Sequence, residues 1–323
     1  MARVVVVGKL HENGMKLLQN RRGLEIEQHL APGEPQMREA AARADAILIR
    51  TTKLSGQAIA GAKSLRVVAR HGVGYDNIDI AALNVRKIPL ALVGNVNATS
   101  VAEHTMFLLL AAMKQGVAYD RATREGRWSV RDSLVAADLA GKNLLIVGLG
   151  RIGREVATRA AAFGMKIVAY DPVLAAIPEG IEAKLASDLD RAVRDADAIS
   201  LHSPLSRQTR NLFSRERLAL MKPSAILVCA ARGGLIDEVA LAEALGAGRI
   251  RGAGLDVFAE EPPSPGHPLL ALDNVVLSPH SAALTEECAE RMATISAQNC
   301  LDGLDGRLNR DLLANPEVLG GNS

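Results

Sequence analysis

Aromatic residues are scarce: one Trp, three Tyr and four Phe in 323 residues. So few flat rings leave little to build base-stacking platforms, and the core must be mostly aliphatic. Charge of one sign is also lacking. Lys and Arg total 38 against 36 acidic residues, a formal net charge of +2, so no strong positive field is available for nucleic acid or an anionic membrane. The three cysteines, Cys229, Cys288 and Cys300, are too few and too irregularly spaced for a disulfide framework, and no CxxC pair points to zinc. No metal is expected. Long apolar runs are missing too: VAEHTMFLLLAAM is broken near its start by Glu103 and His104, well short of the ~18 residues that span a bilayer. The opening MARVVVVGKL is too short for a signal h-region and reads as a first strand. A reducing, cytoplasmic location is the expectation.

What is present is ordinary globular material, 48% hydrophobic and 23% charged. The length favours two domains. Short Val/Ile/Leu runs alternate with helical patterns, the sequence form of βαβ units around a parallel sheet, so the fold class is α/β. Strands are predicted over 4–7, 24–28, 46–49, 65–69 and 89–93, then over 144–147, 166–170, 198–201, 225–229, 252–256 and 275–278. Between the two series, Thr99 or Ser100 is suited to cap a long Ala/Leu-rich helix running to about Glu125. A domain boundary is placed there. Residues 284–313 read as one or two helices before a loose Gly/Asn tail, and they could pack back on the first lobe. The expected domains are 1–98 with 284–323, and 99–283, each a doubly wound lobe.

The strongest local signal is NLLIVGLGRIGREVA, where Gly148, Gly150 and Gly153 form G-x-G-x-x-G between an apolar strand and a helix. Gly148 permits the tight turn, Gly150 lets backbone approach a pyrophosphate, and Gly153 allows close helix packing, while the helix amino end favours the negative charge. Leu149, Arg151 and Ile152 contribute through backbone placement. The next strand, KIVAY, ends at Asp171, where an acid accepts bonds from an adenosine ribose and repels a 2′-phosphate. NAD is therefore expected over NADP.

Ligands of open α/β sheets sit beyond the carboxyl ends of the strands. Arg232 follows AILVC, Glu261 lies in DVFAEEP, and His280 follows VVLSP. Each alone could be a surface charge or a packed imidazole. Together they answer one need, since hydride exchange at C2 of a 2-oxo or 2-hydroxy acid requires a cation for the carboxylate and carbonyl and a proton donor near neutral pH. A carboxylate beside the histidine would stabilise its charged form.

The set GLGRIG, Asp171, LHSPL, AARGGLIDE, GAGLDVFAEEP and SPH, with ARHGVGYDNID and NATSVAEH in the first part, resembles the D-isomer-specific 2-hydroxyacid dehydrogenase family, near its phosphoglycerate dehydrogenase and hydroxypyruvate reductase members. The resemblance covers almost the whole chain. It implies a flavodoxin-like substrate lobe and a Rossmann NAD-binding lobe with a cleft between them that closes by a hinge. It further implies that Arg232 binds the carboxylate and polarises the carbonyl, that His280 is general acid in reduction and base in oxidation, and that Glu261 pairs with it. Asp256 would lie near the nicotinamide carboxamide, Pro204 and Thr209 would line the cofactor, and the backbone amides of Val73 and Gly74 would hold the substrate carboxylate. Arg50 and Arg70 resemble positions used for phosphate, which leaves D-3-phosphoglycerate, hydroxypyruvate and glyoxylate open as substrates. The family's dimers imply a homodimer through the helix starting near Val101. Ser323 leaves no room for the regulatory domain of longer members, so feedback through one is not expected. A dinucleotide-sensing corepressor on the same scaffold is the alternative. Two departures stand out: Cys229 where the family often has Asn, and PHSAAL in place of a glycine-rich continuation. His104 and His202 are expected to pack rather than react, and His11, His29, His71 and His267 have no assigned role.

Overall fold

A computed structural model describes residues 1–133 and 135–320. They divide into two compact units, residues 1–97 with 284–320 and residues 98–283. The Gly/Asn tail foreseen at the C-terminus falls partly on residues 321–323, outside the described residues.

The first unit is a five-stranded, all-parallel sheet of β1 (Ala2–Val7), β2 (Leu24–His29), β3 (Ala46–Ile49), β4 (Val67–Arg70) and β5 (Leu90–Ala91), in the order β2-β1-β3-β4-β5. Its first helices are α1 (Glu12–Gln19), α2 (Glu34–Arg43), α3 (Gly56–Gly61) and α4 (Ile80–Val85). The valine run of β1 is buried without alternation because both faces are covered. Val5 and Val7 join Ile47, Ile49 and Val68 on the α2–α4 face; Val4 and Val6 join Leu48 and Ala69 on the other. Ser55 and Asp79 start α3 and α4 by accepting from Ala58 N and Ala82 N.

The second unit opens with α5 (Ala98–Met113) and α6 (Gly116–Arg124). This corrects the single helix expected to Glu125. Gln115 takes a left-handed φ of 57° directly before Gly116, which ends one helix and starts the next. It also corrects the cap, because α5 begins at Ala98 and places Thr99 and Ser100 inside its first turn. The sheet has seven parallel strands: β6 (Asn143–Val147), β7 (Lys166–Tyr170), β8 (Lys184–Leu185), β9 (Ala198–Leu201), β10 (Ile226–Cys229), β11 (Gly252–Leu255) and β12 (Val275–Leu277). The two-residue β8 has no apolar run and was not foreseen. Helices α7 (Arg151–Ala162), α8 (Leu189–Asp195), α9 (Arg215–Leu218) and α10 (Glu238–Gly246) complete the layers. The order β12-β11-β10-β9-β6-β7-β8 is the doubly wound nucleotide-binding order with one strand added, and its switch point lies between β6 and β9.

The last helix, α11 (Glu286–Asp305), starts at Thr285, whose side chain accepts from Cys288 N, and packs in the first unit. Its Ala293, Ala297, Cys300 and Leu304 close the face made by Val4, Val6 and Leu48. Among the described residues no helix is long and apolar enough to cross a membrane, and no cluster of His, Cys, Asp and Glu could hold a metal ion.

Candidate active site

At the switch point of the second sheet, Gly148 follows β6 with φ +95°, and a Cβ there would lie 2.9 Å from the His202 carbonyl carbon and Ser203 N. Only glycine fits this turn. A Cβ on Gly153 would stand 2.2 Å from the Gly148 carbonyl oxygen, so the first turn of α7 lies against the loop. Gly150, the residue before α7, has open space where its Cβ would be. Two glycines thus close the turn and the third leaves room beside a twelve-residue helix amino end, the arrangement a pyrophosphate needs. Leu149 is buried, while Arg151 and Ile152 form the start of α7.

Asp171 sits just beyond β7. Its Oδ2 accepts from Leu149 N at 2.9 Å and its Oδ1 from Val173 N at 3.1 Å, which fixes the carboxylate against the glycine loop with lone pairs to spare for ribose hydroxyls. The donor set fits a dinucleotide. Pro204 and Thr209 lie in one turn after β9, where Thr209 Oγ1 donates to Pro204 O at 2.6 Å and accepts from Ser206 N at 2.7 Å.

The three groups singled out for chemistry come from the ends of β10, β11 and β12. His280 Nδ1 lies 2.6 Å from Glu261 Oε2. Arg232 is close enough that its charge acts on the Glu261 carboxyl, and its Nη1 donates to Ala231 O at 2.7 Å. Burial alone would raise the Glu261 carboxyl. Hydrogen bonds from His280 and from Phe258 N, with the charges of His280 and Arg232, outweigh burial and hold Glu261 below the usual carboxylate range.

His280 has φ 52°, a left-handed conformation uncommon for a side-chain-bearing residue. Asp256 supports it. Its backbone oxygen accepts from His280 N at 2.7 Å, and its fully buried carboxylate accepts from Ser281 N, Ala282 N and Ser278 Oγ at 2.8, 2.9 and 2.6 Å. His104, on α5, places Nε2 2.8 Å from Ser278 Oγ and 3.4 Å from Asp256 Oδ1. Burial favours the neutral acid at Asp256, yet these donors keep it below its ordinary value. Asp256, expected from the resemblance near the nicotinamide carboxamide, braces the turn that projects His280.

Cys229 makes a turn contact of its own: its thiol donates to Arg232 O at 3.5 Å. Burial pushes that thiol up to about 11, so it stays protonated and able to donate. His202 bonds Ser200 Oγ at 2.8 Å, and burial takes it down to about 4, which leaves it neutral.

In the first unit, Arg50 follows β3 at that sheet's own switch point, beside Gly8 at the end of β1. Its Nη1 donates to Lys9 O at 2.9 Å. Arg70 turns onto its own loop, with Nε donating to Gly74 O at 2.8 Å and Nη1 to His71 O at 2.5 Å, and so shapes the backbone that carries Val73 and Gly74. Sequence reasoning missed Glu238 and His267, whose side chains meet at 3.0 Å beside the turn carrying Glu261. The only sequence hints are an acid directly after the capping Asp237 and a histidine directly before Pro268.

Residues 106–282 match the family model described as the D-isomer specific 2-hydroxyacid dehydrogenase, NAD binding domain. The chain belongs to the D-isomer specific 2-hydroxyacid dehydrogenases. A D-3-phosphoglycerate dehydrogenase of Methanocaldococcus jannaschii is 41% identical over 98% of this chain and 60% of its own length. The chain thus spans three-fifths of that relative. A hydroxypyruvate reductase of Thermotoga maritima is 40% identical over 90% of this chain and 94% of its own. Among solved structures of the family's fold, the TT0316 protein of Thermus thermophilus superposes with a TM-score of 0.88 at 37% identity, covering 94% of this chain and 97% of that one.

Proposed function

We propose that the protein is an NAD-dependent D-2-hydroxyacid dehydrogenase acting on a small 2-oxo or 2-hydroxy acid of the D-3-phosphoglycerate, hydroxypyruvate or glyoxylate type. The observation that carries this reading is the Arg232, Glu261 and His280 group at the strand ends of a sheet whose switch point holds the glycine loop and Asp171. When bound, the nicotinamide supplies the hydride for reduction or accepts it in oxidation. Gly148 to Gly153 and Asp171 hold the dinucleotide, with Pro204, Thr209 and Asp256 along it, and Asp171 favours NAD over NADP by repelling a 2′-phosphate.

Arg232 offers a planar fork to the substrate carboxylate and polarises the carbonyl. With Nδ1 engaged by Glu261, His280 has Nε2 left to give a proton to the forming hydroxyl in reduction, or take one in oxidation. The first unit supplies Val73 and Gly74 amides, with Arg50 and Arg70, as substrate-binding groups. Position at a switch point supports Arg50.

Two further readings accompany this one. The chain works in the cytoplasm, and it forms a homodimer through α5 and its neighbours. Val101 itself packs inward against Ala230 and Ala282. The outward groove is lined by Met106, Phe107, Leu110, Val117 and Phe163, and Phe107, Val117 and Phe163 are 52%, 49% and 47% exposed. Apolar exposure of this kind favours a partner.

The test is NADH oxidation with a panel of 2-oxo acids, followed by both enantiomers of the matching hydroxy acids with NAD. Turnover on at least one is expected. Tight NADH binding with no turnover on any would replace the enzyme with a dinucleotide sensor.

A further inference from the structure

Glu238, the first residue of α10, is only 12% exposed at its side chain. Its two carboxylate oxygens are divided: Oε1 accepts from Ala259 N at 2.6 Å, and Oε2 lies 3.0 Å from His267 Nε2. The His267 tautomer follows from its other nitrogen. Nδ1 accepts from Leu269 N at 3.4 Å and so caps the short helical turn Pro268–Ala271, which leaves Nε2 to carry the proton and donate to Glu238. The His267 ring also meets Phe258 edge to face, with centroids 5.6 Å apart.

Phe258 and Ala259 are the residues on which Glu261 depends. Phe258 N donates to Glu261 Oε1 at 3.1 Å, and the other oxygen of Glu261 holds His280. The turn from Phe258 to Glu261 is thus gripped by Glu238 at the Ala259 amide and by His267 at the Phe258 ring, while Glu261 grips it from within.

We propose that Glu238, backed by His267, is a positioning residue that fixes the Phe258–Glu261 turn and so aims the Glu261 carboxylate at His280 Nδ1. The inference rests on the dehydrogenase reading only for the consequence in turnover. The partners of the Glu238 carboxylate are Ala259 N and His267 Nε2. It acts through Glu261.

The experiment compares Glu238→Ala, Glu238→Gln and Glu261→Gln with the double variant Glu238→Ala/Glu261→Gln in the full chain. Loss of aim in an acid–base pair should lower kcat/KM for 2-oxo acid reduction by about ten- to a hundredfold in Glu238→Ala, carried mainly in kcat. The pH profile should move in the same sense as in Glu261→Gln. Glu238→Gln keeps an oxygen for Ala259 N and should recover part of the loss. The double variant should be no worse than Glu261→Gln alone, because both changes break one linkage. Additive losses, or a pH profile that stays in place, would overturn the proposal.

The proton NMR titration of the His280 ring gives a readout without turnover. Its curve in Glu238→Ala should shift towards that of Glu261→Gln, and an unmoved curve rejects the positioning role. A wild-type protein that turns over no acid would sink the dehydrogenase reading while leaving this titration decisive for Glu238. Should Glu238→Ala fail to fold, His267→Gln carries the same comparisons, since it removes the Phe258 ring contact and weakens the Glu238 anchor.

Discussion

His280 Nδ1 stands 2.6 Å from Glu261 Oε2, on a backbone held left-handed at φ 52° by Asp256. The ring is therefore fixed in both direction and occupied nitrogen. Replacing His280 by Ala should lower turnover by about 10²- to 10⁴-fold, the usual worth of a placed proton donor. NADH affinity, measured by fluorescence titration, should stay close to wild type. Unchanged turnover would remove His280 from the reaction.

Asp171 bonds Leu149 N and Val173 N, and in the proposed function its carboxylate receives the adenosine ribose. Exchange for a neutral residue should weaken the preference for NAD, seen as a fall in the ratio of kcat/KM values for NADH over NADPH. A wild-type protein that already uses both cofactors equally well would defeat the ribose argument.

His71 is 6% exposed, and its titration is pulled down to about 4 by burial first and then by the charges of Arg50 and Arg70. Above its ordinary value of 6.5 the ring is neutral folded or unfolded and contributes no pH dependence. Between 6.5 and about 4 the unfolded chain binds a proton that the folded chain resists, so stability falls as pH falls. The loss reaches about 3 kcal/mol below that window. Urea denaturation at a series of pH values should show a shallower acid decline for His71→Gln than for wild type. Parallel declines would show that His71 does not carry the effect.

The exposed Phe107, Val117 and Phe163 predict self-association. Light scattering at micromolar concentration should return twice the mass of the chain, and Phe107→Glu should return a single chain. A wild-type monomer would contradict the interface.

Much of this molecule could be read from its letters, for identifiable reasons. β3, β7 and β9 run over the same residues as the apolar stretches AILI, KIVAY and AISL, because buried parallel strands need uninterrupted β-formers. β8 was invisible, since two residues at a sheet edge make no pattern. The break at Gln115 was hidden within an Ala/Leu-rich stretch, where composition favours continuation and only the following glycine hinted at an end. At the candidate site, Arg232, Glu261 and His280 are legible as candidates because the rule about strand ends points to them, and their roles belong to the proposed function. Glu238 escaped because its partner is the backbone amide of Ala259, a group every residue carries, and its meaning exists only after folding.

Gly233 follows Arg232, and a Cβ built on it would fall 1.9 Å from the Phe258 carbonyl carbon. The backbones that bear the guanidinium and the acid–base pair are in effect mortised together at this point. Any reshaping of the loop around Arg232 must therefore leave position 233 untouched, because bulk added there would drive apart the Phe258–Glu261 turn and the proposed proton-transfer pair that depends on it.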